Sequence, residues 1–144
     1  MMRGVFVAGA LALGVTAAVA QANVIEQRQN LMKQNGAATR TVSGMLRGQT
    51  PFDLAQVQGA LRNYIEVGRV YPSLFPDNSK EGNNTKALPA IWENKADFNA
   101  LNAKFVQDSQ TALTTIKDEA TFKTEMPKVL QNCGGCHQKY QRQG

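Results

Sequence analysis

The chain is poor in the side chains that most often build reactive centres: its 144 residues include one His, two Cys and one Trp. A structural zinc site built by the chain alone is excluded, because such a site takes four ligands and Cys and His together supply three. Strand patterning is missing as well. No stretch alternates apolar and polar residues with period two, which excludes a half-exposed sheet, and no self-similar unit marks a repeat array. Proline is limited to five residues and glycine is scattered, so a collagenous or low-complexity chain is excluded. No Lys/Arg block of the kind that grips nucleic acid occurs, and the length suits one domain, which rules out a large multidomain enzyme.

The opening residues read Met1-Met2-Arg3, an uncharged apolar run from Gly4 to Val19, and Ala18-Val19-Ala20 as a small-x-small cleavage site. That pattern predicts a secretory signal peptide over residues 1–20, or to 22 if cleavage follows Ala22, with a mature domain over 21–144. As a membrane anchor the same run would be barely long enough and is rich in Ala and Gly. The mature chain is expected to be periplasmic, without stable membrane insertion. Removing Arg3 lowers the formal charge from +5 to +4, a modest surplus spread along the chain that gives only a weak preference for acidic partners.

Beyond the leader, helical spacing dominates. Val24, Ile25, Leu31, Met32, Val42, Met45 and Leu46 predict helix A over 24–46. Asp53 is the expected N-cap of helix B over 54–70, with Val57, Leu61, Ile65 and Gly68 facing inward. Pro72, Pro76, Gly82 and Pro89 predict a long loop over 71–89. Helix C is expected over 90–117 and helix D over 120–142. Pro127 inside helix D predicts a kink or a delayed start near Thr124. The expected fold is all-α, an antiparallel up-down-up-down four-helix bundle.

Both cysteines and the histidine fall within Cys133-Gly134-Gly135-Cys136-His137, a C-x-x-C-H sequence, the attachment signature of c-type haem. Residues three apart share a helix face, so both thiols reach the vinyl groups of one porphyrin while the adjacent imidazole meets the iron. A thioredoxin-type dithiol would need a βαβ pattern, and a disulfide would leave His137 without a role. The expected cofactor is one covalently attached haem c iron per chain. Gly134 and Gly135 are poor helix residues, a cost that close approach of a flat ring would explain.

A second axial ligand is less constrained. With one His, bis-histidine ligation within the chain is impossible, leaving methionine, lysine, water or an open position. Met126 is about 16 Å from His137 along their shared helix, and Met32 and Met45 are about 20 Å apart on helix A, so at most one of these two faces the iron. Periodicity alone reads both as core residues.

Taken together, Arg28-Gln29-Asn30-Leu31-Met32, Pro51-Phe52-Asp53, Leu74-Phe75-Pro76-Asp77, Pro89-Ala90-Ile91-Trp92 with Phe98, and the attachment motif with Tyr140 resemble the class II c-type cytochromes, the cytochrome c-prime family. The resemblance covers essentially the whole mature chain. It implies that Met32 faces the distal side of the iron, as in the six-coordinate, low-spin His/Met branch, with Met45 left to the core. It also implies that Arg28, and more weakly Gln29, bind a haem propionate, a chemistry that suits a guanidinium. Trp92 and Tyr140 are expected as packing and haem-edge residues. Many five-coordinate, gas-binding members carry a basic residue four positions after the proximal His, where this chain has Gln141, with Arg142 one place later.

The implied function is outer-sphere one-electron transfer with redox-protein donors and acceptors, by a monomer or a homodimer through helices A and B. Binding of NO or CO by a five-coordinate iron is the alternative. Peroxidase-type catalysis lacks a distal acid or base, since no Asp or Glu lies within a turn of Met32, so the protein is not expected to be an enzyme.

Overall fold

The computed structural model describes the backbone of residues 10–143 and the side chains of residues 20–143. Residues 1–9 of the expected leader, and the side chains of residues 10–19, therefore lie outside the description. Helix α1 is continuous over Ala10–Leu46, so it starts well before Val24. The Ala and Leu residues that precede Val24 are strong helix formers, and no proline separates them from it. No described helix is long and apolar enough to cross a membrane. Gly48, at φ 66°, ends the first helical segment.

Helix α2 occupies Leu54–Val70 as expected, capped by Asp53, whose side chain accepts from the Gln56 N–H at 3.0 Å. Its inner face buries Val57, Ala60, Leu61, Tyr64, Ile65, Val67 and Gly68. Gly68 marks the close crossing with the third helix: a Cβ there would overlap Val106 Cγ2, and its carbonyl accepts from Asn102 Nδ2.

The predicted helix C is two pieces, α3 over Ala90–Glu93 and α4 over Lys95–Thr115. Asn94, at φ −124° and ψ 47°, leaves helical geometry between them. Its N–H closes α3 on the Ala90 carbonyl at 2.9 Å, and its own carbonyl accepts from Phe98 N–H at 3.0 Å to open α4. Asparagine favours such breaks because its short amide competes for backbone groups.

The last helix, α5, spans Glu119–Tyr140 behind a reciprocal Asp118–Thr121 capping box. Pro127 lies inside it, and the delayed start near Thr124 does not occur. Helix α5 stops at Tyr140 rather than Arg142 because the long loop captures its end. Leu88 N–H donates to the Tyr140 carbonyl at 3.0 Å, Arg142 N–H donates to the Lys86 carbonyl at 2.7 Å, and Ala87 and Gln141 form an isolated antiparallel bridge. Within the loop, short 3-10 turns cover Tyr71–Leu74 and Asp77–Ser79.

Counting α3 and α4 as one broken helix, the chain is the expected antiparallel four-helix bundle. Helices α2 and α4, α4 and α5, and α1 and α2 pack closely, whereas α1 and α5 touch only sparsely. The core divides accordingly. One apolar cluster, at the end remote from the loop, joins Val42, Met45, Val57, Leu61, Tyr64, Ile116, Phe122, Met126 and Val129. A second, aromatic cluster lies under the loop and joins Phe75, Ile91, Phe98 and Tyr140.

Candidate cofactor site

The interval between these clusters is where α1 and α5 present their unused faces. Along α1 the inner stripe is buried at Ile25 and Arg28, half-buried at Met32, Asn35 and Thr39, and buried again at Val42 and Met45. Helix α5 repeats the pattern: Phe122, Met126 and Val129 are buried, Leu130, Cys133 and Cys136 half-buried, His137 exposed and Tyr140 buried.

The two patterns are in register. Met45 and Met126 share the apolar cluster, while Arg28 and Tyr140 both bond to the loop at the opposite end, so the uncovered middles of α1 and α5 lie at one level. Met32 belongs to one middle and the Cys133–His137 motif to the other.

Cys133 and Cys136 are free thiols three residues apart on α5, and burial pushes both thiols up from their ordinary value, with the neighbouring Cys133 adding to the effect at Cys136. Cys136 packs against the aromatic cluster. Partial burial of the His137 ring lowers its pKa, favouring the neutral imidazole that a metal requires. Apart from the adjoining residues and the helix's own backbone, nothing lies within 4 Å of a Cβ built on Gly134 or Gly135, so no packed neighbour fills the space beside this turn. Two thiols, a neutral imidazole, a glycine-cleared turn and an interrupted core fit a covalently attached porphyrin.

Tyrosines close the flanks, two of them not singled out by the sequence. Tyr64 is fully buried, its hydroxyl 2.8 Å from Thr39 Oγ1, and burial pushes its phenol up to about 12. Its place in the 57, 61, 64 spacing of α2 is the signal that could have found it. Burial likewise raises the Tyr71 phenol, opposed by the Arg28 charge. Tyr140 buries its ring against Phe98 and directs its hydroxyl to Asp97 Oδ2 at 2.5 Å, which pushes the phenol up to about 12. The Tyr140 bond, with Lys139 at 3.1 Å, in turn holds the Asp97 carboxyl below its usual range.

Arg28 is 2% exposed, and both of its terminal nitrogens are taken by the loop. Nη1 donates to the Leu74 carbonyl at 3.2 Å and Ser79 Oγ at 3.1 Å, while Nη2 donates to the Ser79 carbonyl at 2.9 Å and Thr85 Oγ1 at 2.8 Å. Gln29 Nε2 donates to the Asn83 carbonyl at 2.8 Å. Loop residues have no periodicity, so Ser79 and Thr85 could not be found as partners from the sequence.

The family model for Cytochrome C' matches residues 23–141. The chain belongs to the cytochrome c' family. It is 45% identical over 134 residues to cytochrome c' of Rhodopseudomonas palustris, covering 93% of this chain and 92% of that one. It is 35% identical over 144 residues to cytochrome c-556 of the same organism, covering 97% of each. The solved cytochrome c' from R. palustris superposes with TM-score 0.82 at 43% identity, covering 83% of this chain and 96% of that chain. Cytochrome c' proteins carry covalently attached haem c, one iron per chain, and serve as electron carriers or gas binders rather than enzymes.

Proposed function

We propose that this cytochrome is a periplasmic one-electron carrier in which Cys133 and Cys136 hold the porphyrin, His137 is the proximal iron ligand and Met32 the distal one. The observation that carries this reading is the shared level of the two uncovered middles, with Met32 on α1 and the attachment motif on α5. Met45 and Met126 are sequestered in the apolar cluster, which leaves Met32 as the thioether beside the interval.

Bound haem c supplies a one-electron ferric/ferrous couple whose potential a thioether ligand raises. The chain's own residues keep two axial donors in place, so reorganisation on electron transfer is small. The two clusters and Tyr64 exclude water from the flanks, lowering the local dielectric. Redox proteins are the partners, weakly favoured when acidic. The test is the absorption spectrum of the ferric holoprotein: low-spin bands with a thioether-to-iron charge-transfer feature are expected, and Met32→Leu should abolish that feature. A high-spin ferric spectrum that Met32→Leu leaves unchanged overturns the ligation.

One observation favours a second reading, a five-coordinate binder of NO or CO: identity to the R. palustris cytochrome c' is 45%, against 35% to its cytochrome c-556. Under that reading CO binds the ferrous protein at the same rate with and without Met32→Leu; under the carrier reading the variant binds faster.

The leader also supports export. A solved R. palustris cytochrome c' variant carries substitutions at its first residue, a glutamine, and at a phenylalanine and a tryptophan spaced from it as Phe52 and Trp92 are from Gln21. That spacing supports cleavage after Ala20, and the intact mass of the exported protein tests it.

A further inference from the structure

Helix α5 is weakest where its chemistry is. Gly134 and Gly135 separate the two cysteines, glycine is among the poorest helix formers, and neither position has a packed neighbour. The face toward α1 adds little, because α1 and α5 touch only sparsely. Support for the turn must come from its flanks and from α4, against which α5 packs closely.

Both flanks carry a tie, and both ties end on a carboxylate of α4. Asn132, the residue before Cys133, donates Nδ2 to Asp108 Oδ2 at 2.8 Å, and the same amide lies 3.1 and 3.3 Å from the Val129 and Lys128 carbonyls of its own helix. Lys104 Nζ meets that Asp108 oxygen at 2.5 Å. On the other flank, Tyr140 Oη donates to Asp97 Oδ2 at 2.5 Å, and Lys139 Nζ meets it at 3.1 Å. Tyr140 lies one turn after Cys136, and Cys136 packs against the aromatic cluster to which Tyr140 belongs.

Asp97 and Asp108 are eleven residues apart, close to three full turns, so they share one face of α4. The antiparallel run of the two helices brings the later carboxylate to the earlier donor. Exposed ion pairs such as those with Lys104 and Lys139 add little to stability. A hydrogen bond to a charged acceptor is short and directional, and two of them on either side of a motif hold the helix between against sliding and turning.

We infer that Asp97 and Asp108 are positioning residues for the attachment turn: by holding Tyr140 and Asn132, they fix the helix over 133–137 against α4 and so set the direction in which His137 meets the iron. The inference rests on the proximal ligation proposed above.

The experiment uses the haem-loaded protein. Asp97→Ala with Asp108→Ala removes both acceptors; Asp97→Asn with Asp108→Asn removes the same charge but keeps an oxygen for each donor. Tyr140→Phe deletes one hydroxyl and changes no charge. Two readouts are taken. One is amide hydrogen exchange over 133–137, referred to that of α2; the other is the pattern of paramagnetically shifted His137 and haem-methyl proton resonances in the ferric protein, which follows the orientation of the imidazole. Exchange should rise roughly tenfold in the alanine variant, as expected of local opening, and by less in Tyr140→Phe. The shift pattern should change in both, while the asparagine variant keeps the parent's exchange and pattern. Faster exchange with an unchanged pattern overturns the positioning role and leaves the two carboxylates as helix ties only. Unchanged exchange, or an asparagine variant that behaves as the alanine one, overturns the bracket. If no imidazole resonance of the parent is paramagnetically shifted, the ligation by His137 has failed instead, and the exchange readout still reports on the bracket.

Discussion

The two ends of the bundle are held together by different means. At the end remote from the loop, Val42, Leu61, Ile116, Phe122 and Met126 bury apolar area between helices and little else. Under the loop, Phe75, Phe98 and Tyr140 meet edge-on at ring-centre distances of 4.9 and 5.4 Å, and the layer is finished by a buried guanidinium and by backbone bonds to α5. The first end draws on area burial, which is non-directional and tolerant of small shifts. The second depends on hydrogen bonds that hold in one arrangement and lose most when a single partner is removed. On the proposed reading a cofactor between them would have one wall held by area burial and one held by directional bonds.

The largest test of that contrast is removal of what joins the ends. Cys133→Ala with Cys136→Ala should abolish covalent haem, read as loss of the haem mass on the intact chain, and should broaden thermal unfolding followed by far-ultraviolet circular dichroism. Retention of one sharp transition would show that the clusters are coupled without the porphyrin.

Next in size is a matched truncation. Phe122→Ala should cost about 3–5 kcal/mol in denaturant unfolding, and Phe98→Ala less, because the aromatic end can open locally. Equal costs, with no local rise in hydrogen exchange around the loop for Phe98→Ala, would erase the distinction.

Alkaline pH gives a smaller effect at both ends, since Tyr71 and Tyr140 under the loop also hold raised phenols, and Tyr64 reports the share of the apolar end. Folded Tyr64 holds its proton more tightly than an unfolded phenol of ordinary value 10, so its contribution is fully present below pH 10 and is lost as pH rises through about 12. Tyr64→Phe should flatten the fall of stability across that window; parallel profiles for variant and parent would refute the assignment. The smallest expected change is Trp92→Phe, which deletes the indole donor to the Phe75 and Pro76 carbonyls and should cost about 1 kcal/mol. A larger loss than Phe122→Ala would invert the ranking of the two ends.

The same division explains what could be read from the sequence. The helices are legible wherever apolar spacing meets a cap: α2 begins and ends where Asp53 and Val70 indicate. The break at Asn94 is not legible, because one asparagine inside an otherwise periodic run gives no pattern signal. The early start of α1 is masked because the same Ala and Leu residues that favour helix also compose a leader pattern over 1–20. At the site, local spacing alone marks Cys133, Cys136 and His137 as one group. Arg28 stands out as a charge on an inner stripe, but its partners Ser79 and Thr85 are more than fifty positions away in a segment without period. Contacts of that separation exist only once the chain is folded.

Gly68 constrains how this bundle can vary. Its α-carbon faces Val106, a β-branched side chain with little freedom to turn aside. A single substitution to alanine at position 68 should therefore be disfavoured, and a homologue bearing one should show a compensating reduction at the position opposite. Paired variation of these two sites across the family would record how closely α2 and α4 have been allowed to approach.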